Sequence, residues 1–517
     1  MPKQQTDFLP QLINSLSKGE KRSFRLFVNR NVTAEEKLFM QLFDVLDKYK
    51  VYNEEVILAK IPRLKKTQLS NVKANLYKQI LISLRNLYRS NIEEIAIREN
   101  LDYAKLLYTR GLYNQSLDIL EKAKKAAIHS QQYSLAFTIL EFERYIESQH
   151  VTGSMFGKAE EIKELSDKLL KKVNVNNELS NFSLLLYGFY LRYGYTKDKK
   201  DFRFVKEFFD SHNPDVDTAG LDFYEKLLLF QSYVWYNNMI QDFVNTYRYA
   251  QSWVDLFHKH ESKTISETPL YLKGLHNALN ALFMVQRYDK FLAAYNELLL
   301  IGENKKLISN KNNESLWTLF SYIHGINKIY LTAEYGEGVE YIKPLEEILE
   351  SNAFNWDLNR VIAFYYKIAC IYFGDDQWEM AIFYLNKIIN NYYPDFRGDI
   401  QCFARILNLI SHFELGNDIL VSYQVRSVYR FLSKMEDLGE VQKEIFSFIK
   451  RTPSMQREDL IHEFKVLKRK LVVLQDDPYE RRPFLYLDII SWLDAKIKGI
   501  TMQQAIKENN KQKMAAR

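Results

Sequence analysis

Eight residues between positions 365 and 388 constrain this chain most. Tyr365, Ile368, Ala369, Tyr372, Trp378, Ala381, Leu385 and Ile388 follow one another at spacings of 3, 1, 3, 6, 3, 4 and 3, with Pro394 beyond them. Steps of three and four keep side chains on one face of an α-helix. The step of six breaks that face at Gly374-Asp375-Asp376, so the pattern describes two helices joined by a turn. The two alanines are small where the helices must approach closely, and the aromatic and leucine side chains fill the space around that contact.

The pattern recurs. Tyr103, Ala104, Leu107, Gly111, Tyr113, Ser116, Leu120 and Ala123 repeat it, with Gly111 at the turn. Weaker copies surround Phe243, Tyr288 and Tyr335, each taken as the aromatic that opens a second helix, and the intervals from 243 to 288, 335 and 378 are 45, 47 and 43 residues. Outside these copies, apolar residues still recur at three- and four-residue spacing, as in Leu69, Val72, Leu76, Ile80, Leu84 and Leu87. Roughly two dozen helices are expected, and strand-length alternation is hard to find. Breaks fall at Gly111, Gly153-Ser154, Gly336, Gly374, Gly416 and Asp476-Asp477-Pro478. With 17 glycines and 10 prolines in 517 residues, turn residues are too scarce for a sheet-rich fold. The length exceeds what one compact core usually supports, so the chain is either two to four globular domains or one array of repeats, and the scarcity of turn residues favours the array.

The motif around residues 365–394 resembles a tetratricopeptide repeat. The resemblance implies an all-α fold, a right-handed superhelical α-solenoid of stacked antiparallel helix hairpins. It divides the chain into an N-terminal helical cap (1–90), repeats (91–440) and a C-terminal cap with a polar tail (441–517). The intervals of 43–47 residues exceed the usual 34 or so of this family, so helices or loops must be longer, and a helical solenoid with repeats of about 40–47 residues is the alternative. In tetratricopeptide proteins the first helix of each pair lines a concave groove that receives a peptide. Carried onto this chain, the groove positions are Gln231, Trp235 and Asn238, then Lys273, His276, Asn280 and Phe283. They continue through Ile323, Asn327 and Tyr330 to Tyr366, Cys370 and Phe373. Asparagine amides can pair with a peptide backbone, and aromatic rings supply contact area, so the expected partner is a protein or peptide.

Catalytic signatures are absent from the sequence. His258 and His260 lie two apart, which points them to different faces of a helix, and no His-Glu-x-x-His motif occurs. Gly336-Glu337-Gly338 lacks the third glycine of a phosphate-binding loop and reads as a turn. Neither an enzyme nor a cofactor or metal site is expected. Two cysteines, no long uncharged apolar run and no apolar leader at the start predict a cytoplasmic protein without a membrane span.

Charge supplies a second functional reading. Residues 1–100 hold 18 basic and 11 acidic side chains, and residues 441–517 hold 16 and 10, whereas residues 101–440 hold 37 and 44. On the helix expected from Thr67 to Arg89, Lys78, Arg85 and Arg89 share a face, preceded by Lys60, Arg63, Lys65 and Lys66. A nucleic-acid-binding N-terminal region joined to a peptide-sensing array is therefore the alternative to a pure protein-binding scaffold.

Overall fold

The structure, a computed structural model, describes residues 8–29, 34–50, 53–90, 92–149, 157–391, 398–432, 439–451, 457–477, 479–480, 484 and 487–515. Every regular element among them is helical. Contacts divide the chain into two units, 1–177 and 178–517.

The first unit contains two cores. Helices α1 (Phe8–Ser15), α2 (Lys18–Val28), α3 (Ala34–Tyr49), α4 (Glu54–Lys60) and α5 (Lys66–Tyr88) bury Leu9, Phe24, Leu42, Phe43, Leu76 and Ile80 in a cluster of their own. The long amphipathic helix expected near residues 67–89 is α5. Helices α6 (Glu93–Tyr108), α7 (Tyr113–His129), α8 (Tyr133–Gln149) and α9 (Lys158–Tyr193) follow, with Ala104, Leu120, Ala123 and Ile139 at the centre of the second core.

The second unit begins within α9 and continues through α10 (Lys199–His212). Five helix pairs follow: α11 (Phe223–Met239) with α12 (Phe243–Lys259), α14 (Thr268–Met284) with α15 (Tyr288–Glu303), and α16 (Lys311–Thr332) with α17 (Tyr335–Ser351). The last two are α18 (Leu358–Gly374) with α19 (Trp378–Ile389), and α20 (Gly398–Glu414) with α21 (Asp418–Leu432). A short α13 (Glu261–Ser266) precedes α14, and α22 (Glu440–Arg451), α23 (Arg457–Gln475), α24 (Ile489–Lys498) and α25 (Met502–Ala515) complete the unit. Each second helix packs against its own first helix and the next one, as α12 does against α11 and α14, while α14, α16, α18 and α20 also touch in succession. One apolar core runs through all of these pairs, and Ala369 and Ala381 are fully buried within it.

Phe243, Tyr288, Tyr335 and Trp378 are each the first residue of a helix, as is Tyr113 in the first unit. The turns that precede Tyr113, Tyr133, Phe243, Tyr288, Trp378 and Asp418 share one geometry. Gly111, Gln131, Gln241, Gln286, Asp376 and Gly416 have positive φ. At each, the following N–H donates to the carbonyl five residues back: Leu112 to Leu107, Gln132 to Ala127, Asp242 to Asn237, Arg287 to Leu282, Gln377 to Tyr372 and Asn417 to His412, at 2.8–3.1 Å. This left-handed cap satisfies carbonyls at the helix end and sets the exit direction of the chain.

Two expectations change. Gly336 and Gly338 form no turn: they lie inside the first turns of α17, and a Cβ on Gly338 would sit 3.0 Å from Ile329 and 3.3 Å from Ile371. The glycine is there for close helix packing, and the turn falls at Ala333, whose φ is +57°. Nor does the C-terminal region simply cap the last pair. Asn510 on α25 donates to the Leu331 carbonyl of α16 at 3.0 Å, and Met502 and Ile506 are buried in the core of the pairs.

Candidate binding site

Helix α14 shows how the sequence divides its faces. Leu272, Leu275, Leu279 and Leu282 are buried, whereas Lys273 is exposed and His276, Asn280 and Phe283 are half-buried. On α16 and α18 the corresponding faces carry Ile323, Asn327 and Tyr330, and Arg360, Ala363 and Lys367.

Two clefts open on the second unit. The first, about 600 Å³, is lined by Gln231 and Trp235 of α11, Lys273 and His276 of α14, Phe320 and Ile323 of α16, and Arg360 and Lys367 of α18, with Leu184 and Tyr187 of α9 along one side. Trp235 lies against Tyr187, ring centroids 5.0 Å apart, and stacks on Tyr190 at 5.5 Å. The second cleft, about 980 Å³, is lined by Phe283, Tyr330, Cys370 and Phe373 from the first helices and by Met502, Ile506 and Asn510 of α25. The groove residues expected from sequence are thus split. Gln231, Trp235, Lys273 and His276 meet in the first cleft, Phe283 and Tyr330 in the second, and Asn238, Asn280, Asn327 and Tyr366 line neither.

Asn280 and Asn327 are held within the fold. Asn280 Nδ2 donates to His276 Nε2 at 3.0 Å. The proton of His276 therefore sits on Nδ1, which donates to His324 Nε2 at 2.9 Å. His324, fully buried, is left with its own N–H on Nδ1, an atom without a hydrogen-bond partner. His276 stacks on Phe320 at 4.2 Å. Burial pushes the His276 pKa down to about 3, with the Arg360 and Lys367 charges adding to the effect, and burial likewise holds His324 well below the usual imidazole range. Both rings are neutral at physiological pH. Asn327, buried, accepts from Lys367 Nζ at 2.6 Å, and Tyr330 donates its hydroxyl proton to the Lys367 carbonyl at 3.0 Å. Tyr366 is core, 3% exposed.

Sequence reasoning missed Arg360, Phe320 and Tyr187. Lys367 was likewise not among the groove positions expected from the sequence. The signal lay in spacing, because Arg360, Ala363 and Lys367 stand at i, i+3 and i+7 and so share a face of α18. Cys370 offers no activated thiol: burial pushes its pKa up to about 12, opposite to the shift that makes a cysteine a nucleophile.

On α5, Lys78 is exposed. Arg85 lies 3.9 Å from Asp102 and Arg89 3.8 Å from Glu99, both acids on α6, so two of the three cations proposed for nucleic acid have carboxylate neighbours.

No family model, curated protein or solved structure matches the chain. The class defined by the structure is an all-helical chain whose neighbouring helices pack in succession, compatible with a helical-repeat array. No helix among the described residues is long and apolar enough to cross a membrane.

Proposed function

We propose that this chain is a non-catalytic binding protein. In this reading its helix pairs are tetratricopeptide-like antiparallel hairpins, stacked as a right-handed superhelical solenoid, and the first-helix face receives a segment of another protein. The succession of contacts among α11 to α20 supports the repeat reading, as do the aromatic residues that open α12, α15, α17 and α19. The observation that carries the function is the first cleft, where four successive first helices bring amide, cationic and aromatic side chains to one open surface. Such a mixture suits peptide capture, since the rings add area at small entropic cost and the polar groups fix register.

The test is selection of a random dodecapeptide display library on the full chain, followed by photocrosslinking. With p-benzoylphenylalanine in place of Leu184, which lines the cleft and is 68% exposed, selected peptides should crosslink. With the same group at Ile419, 90% exposed on α21, they should not. A library that yields no binders, or binders that crosslink only at position 419, would sink the reading.

A further inference from the structure

We propose that the occupant of the first cleft is an acidic peptide segment, with carboxylates held by Lys273, Arg360 and Lys367 and a neighbouring apolar side chain seated against Trp235 and Phe320. This rests on the binding function proposed above and names the chemistry of the ligand.

Charge is the leading argument. Three cations line the cleft, and no aspartate or glutamate does so among the described residues. The surrounding sequence makes this unexpected, because residues 101–440 carry 44 acidic and only 37 basic groups. The cleft is positive against the local trend. Lys273 has no carboxylate within 4.0 Å among the described residues, and Arg360 keeps one acidic neighbour, Asp357, with Nε 3.1 Å from its carboxylate, which leaves the outer edge of the guanidinium for a ligand. Lys367 lines the same cleft, and its ammonium donates to Asn327 Oδ1 at 2.6 Å.

Shape narrows the ligand further. His276 forms part of the wall as a neutral ring stacked on Phe320, so the floor between the cations is apolar, and Trp235 continues it. A carboxylate beside a large apolar side chain fits both surfaces, whereas a free inorganic anion would leave the aromatic floor wet. Charge-assisted hydrogen bonds and desolvated aromatic contacts then act on adjacent residues of one segment.

The experiment uses the same library on the wild-type chain, then measures selected peptides by fluorescence anisotropy against wild type, Lys273→Glu/Arg360→Glu and the milder Lys273→Ala/Arg360→Gln. Both residues are solvent-accessible, and circular dichroism melting checks that the variants fold. We expect enrichment of peptides with at least two Asp or Glu beside an aromatic or aliphatic residue. Their affinity should fall roughly tenfold or more in either variant and weaken as salt is raised. Enriched peptides without acidic residues, or with unchanged affinity for both variants, would overturn the inference while leaving the binding function intact. Absence of any binder overturns both. ATP or a thymidylate dodecamer displacing the peptides at equal or lower concentration would assign the cleft to nucleotides and also overturn it.

Discussion

Around His276 the first-helix face is open and lined by Lys273, Arg360 and Lys367. Two turns further along the same helices, around Tyr330 and Phe373, it lies beside Met502, Ile506 and Asn510 of α25. The two stretches occupy the same side of the same repeats, and their side chains separate their fates. Phe283, Tyr330 and Phe373 present apolar area whose removal from water is favourable, and Met502 and Ile506, four residues apart on one face of α25, supply a matching stripe. The cations and amides of the open stretch would lose hydration under such a cover without gaining partners. A repeat scaffold can therefore keep one part of its groove wet and close another without changing its backbone plan.

The sharpest way to break this contrast is Ile506→Glu. Ile506 is 2% exposed, so the substitution removes its apolar contacts and places a carboxylate in an apolar core, at a cost of about 3 kcal/mol. The expected result is release of α25. In a Cys402→Ser background, Cys370, which lines the covered cleft, should react faster with a maleimide, while peptide affinity at the open cleft stays unchanged. An unchanged labelling rate would show that α25 does not cover this stretch.

Acid gives a smaller effect centred on the open side. His276 and His324 are neutral in the fold, with pKa values pushed below the usual 6.5, His276 to about 3. The unfolded chain therefore binds more protons below pH 6.5. The contribution of the pair is complete above that value and is lost as pH falls toward 3. By pH 5 the loss is about 2 kcal/mol for the first proton taken up. Urea midpoints of wild type and of His276→Phe/His324→Leu should diverge between pH 7 and 5, with wild type falling more steeply. Parallel curves would show that the rings are accessible enough to titrate normally.

How far the molecule could be read in advance follows from which interactions are local. Tyr113, Phe243, Tyr288, Tyr335 and Trp378 stand at helix starts because an aromatic after a turn, followed by three- and four-residue spacing, is a signal contained in one stretch of chain. Gln131, Gln241 and Gln286 hold left-handed turn positions that their chemistry does not announce, whereas Gly336 and Gly338 announced a turn and were used for packing. The recurrence of Asn280 and Asn327 was visible, but their partners were not. One amide is engaged by His276 on its own helix and the other by Lys367, forty residues away. The docking of Asn510 on Leu331 spans 179 residues, a separation that no periodicity encodes. Lys367 was missed because its role depends on α16 lying beside α18.

The smallest expected effect lies at the turn between α18 and α19, on the covered side. Asp376 has a φ of +58°, a conformation that strains an L-residue and that glycine adopts freely. Gly111 and Gly416 fill the equivalent position in two other turns of the same geometry. Asp376→Gly should remove that strain, while the greater freedom of glycine in the unfolded chain offsets part of the gain, leaving a stabilisation of about 0.5–1 kcal/mol. Burial and the Glu414 charge raise the Asp376 pKa, opposed by Lys496 on α24, so the folded state disfavours its charged form at neutral pH. Removing the carboxyl therefore adds to the gain at pH 7, and this addition fades as pH falls through the raised folded pKa, leaving the backbone part. Urea unfolding at pH 7 and pH 4 separates the two, provided the slope is unchanged. A destabilised variant at pH 7 would mean that the Asp376 carboxylate is held by Lys496 strongly enough to outweigh the strain, making the turn one of the points that fasten α24 to the repeats.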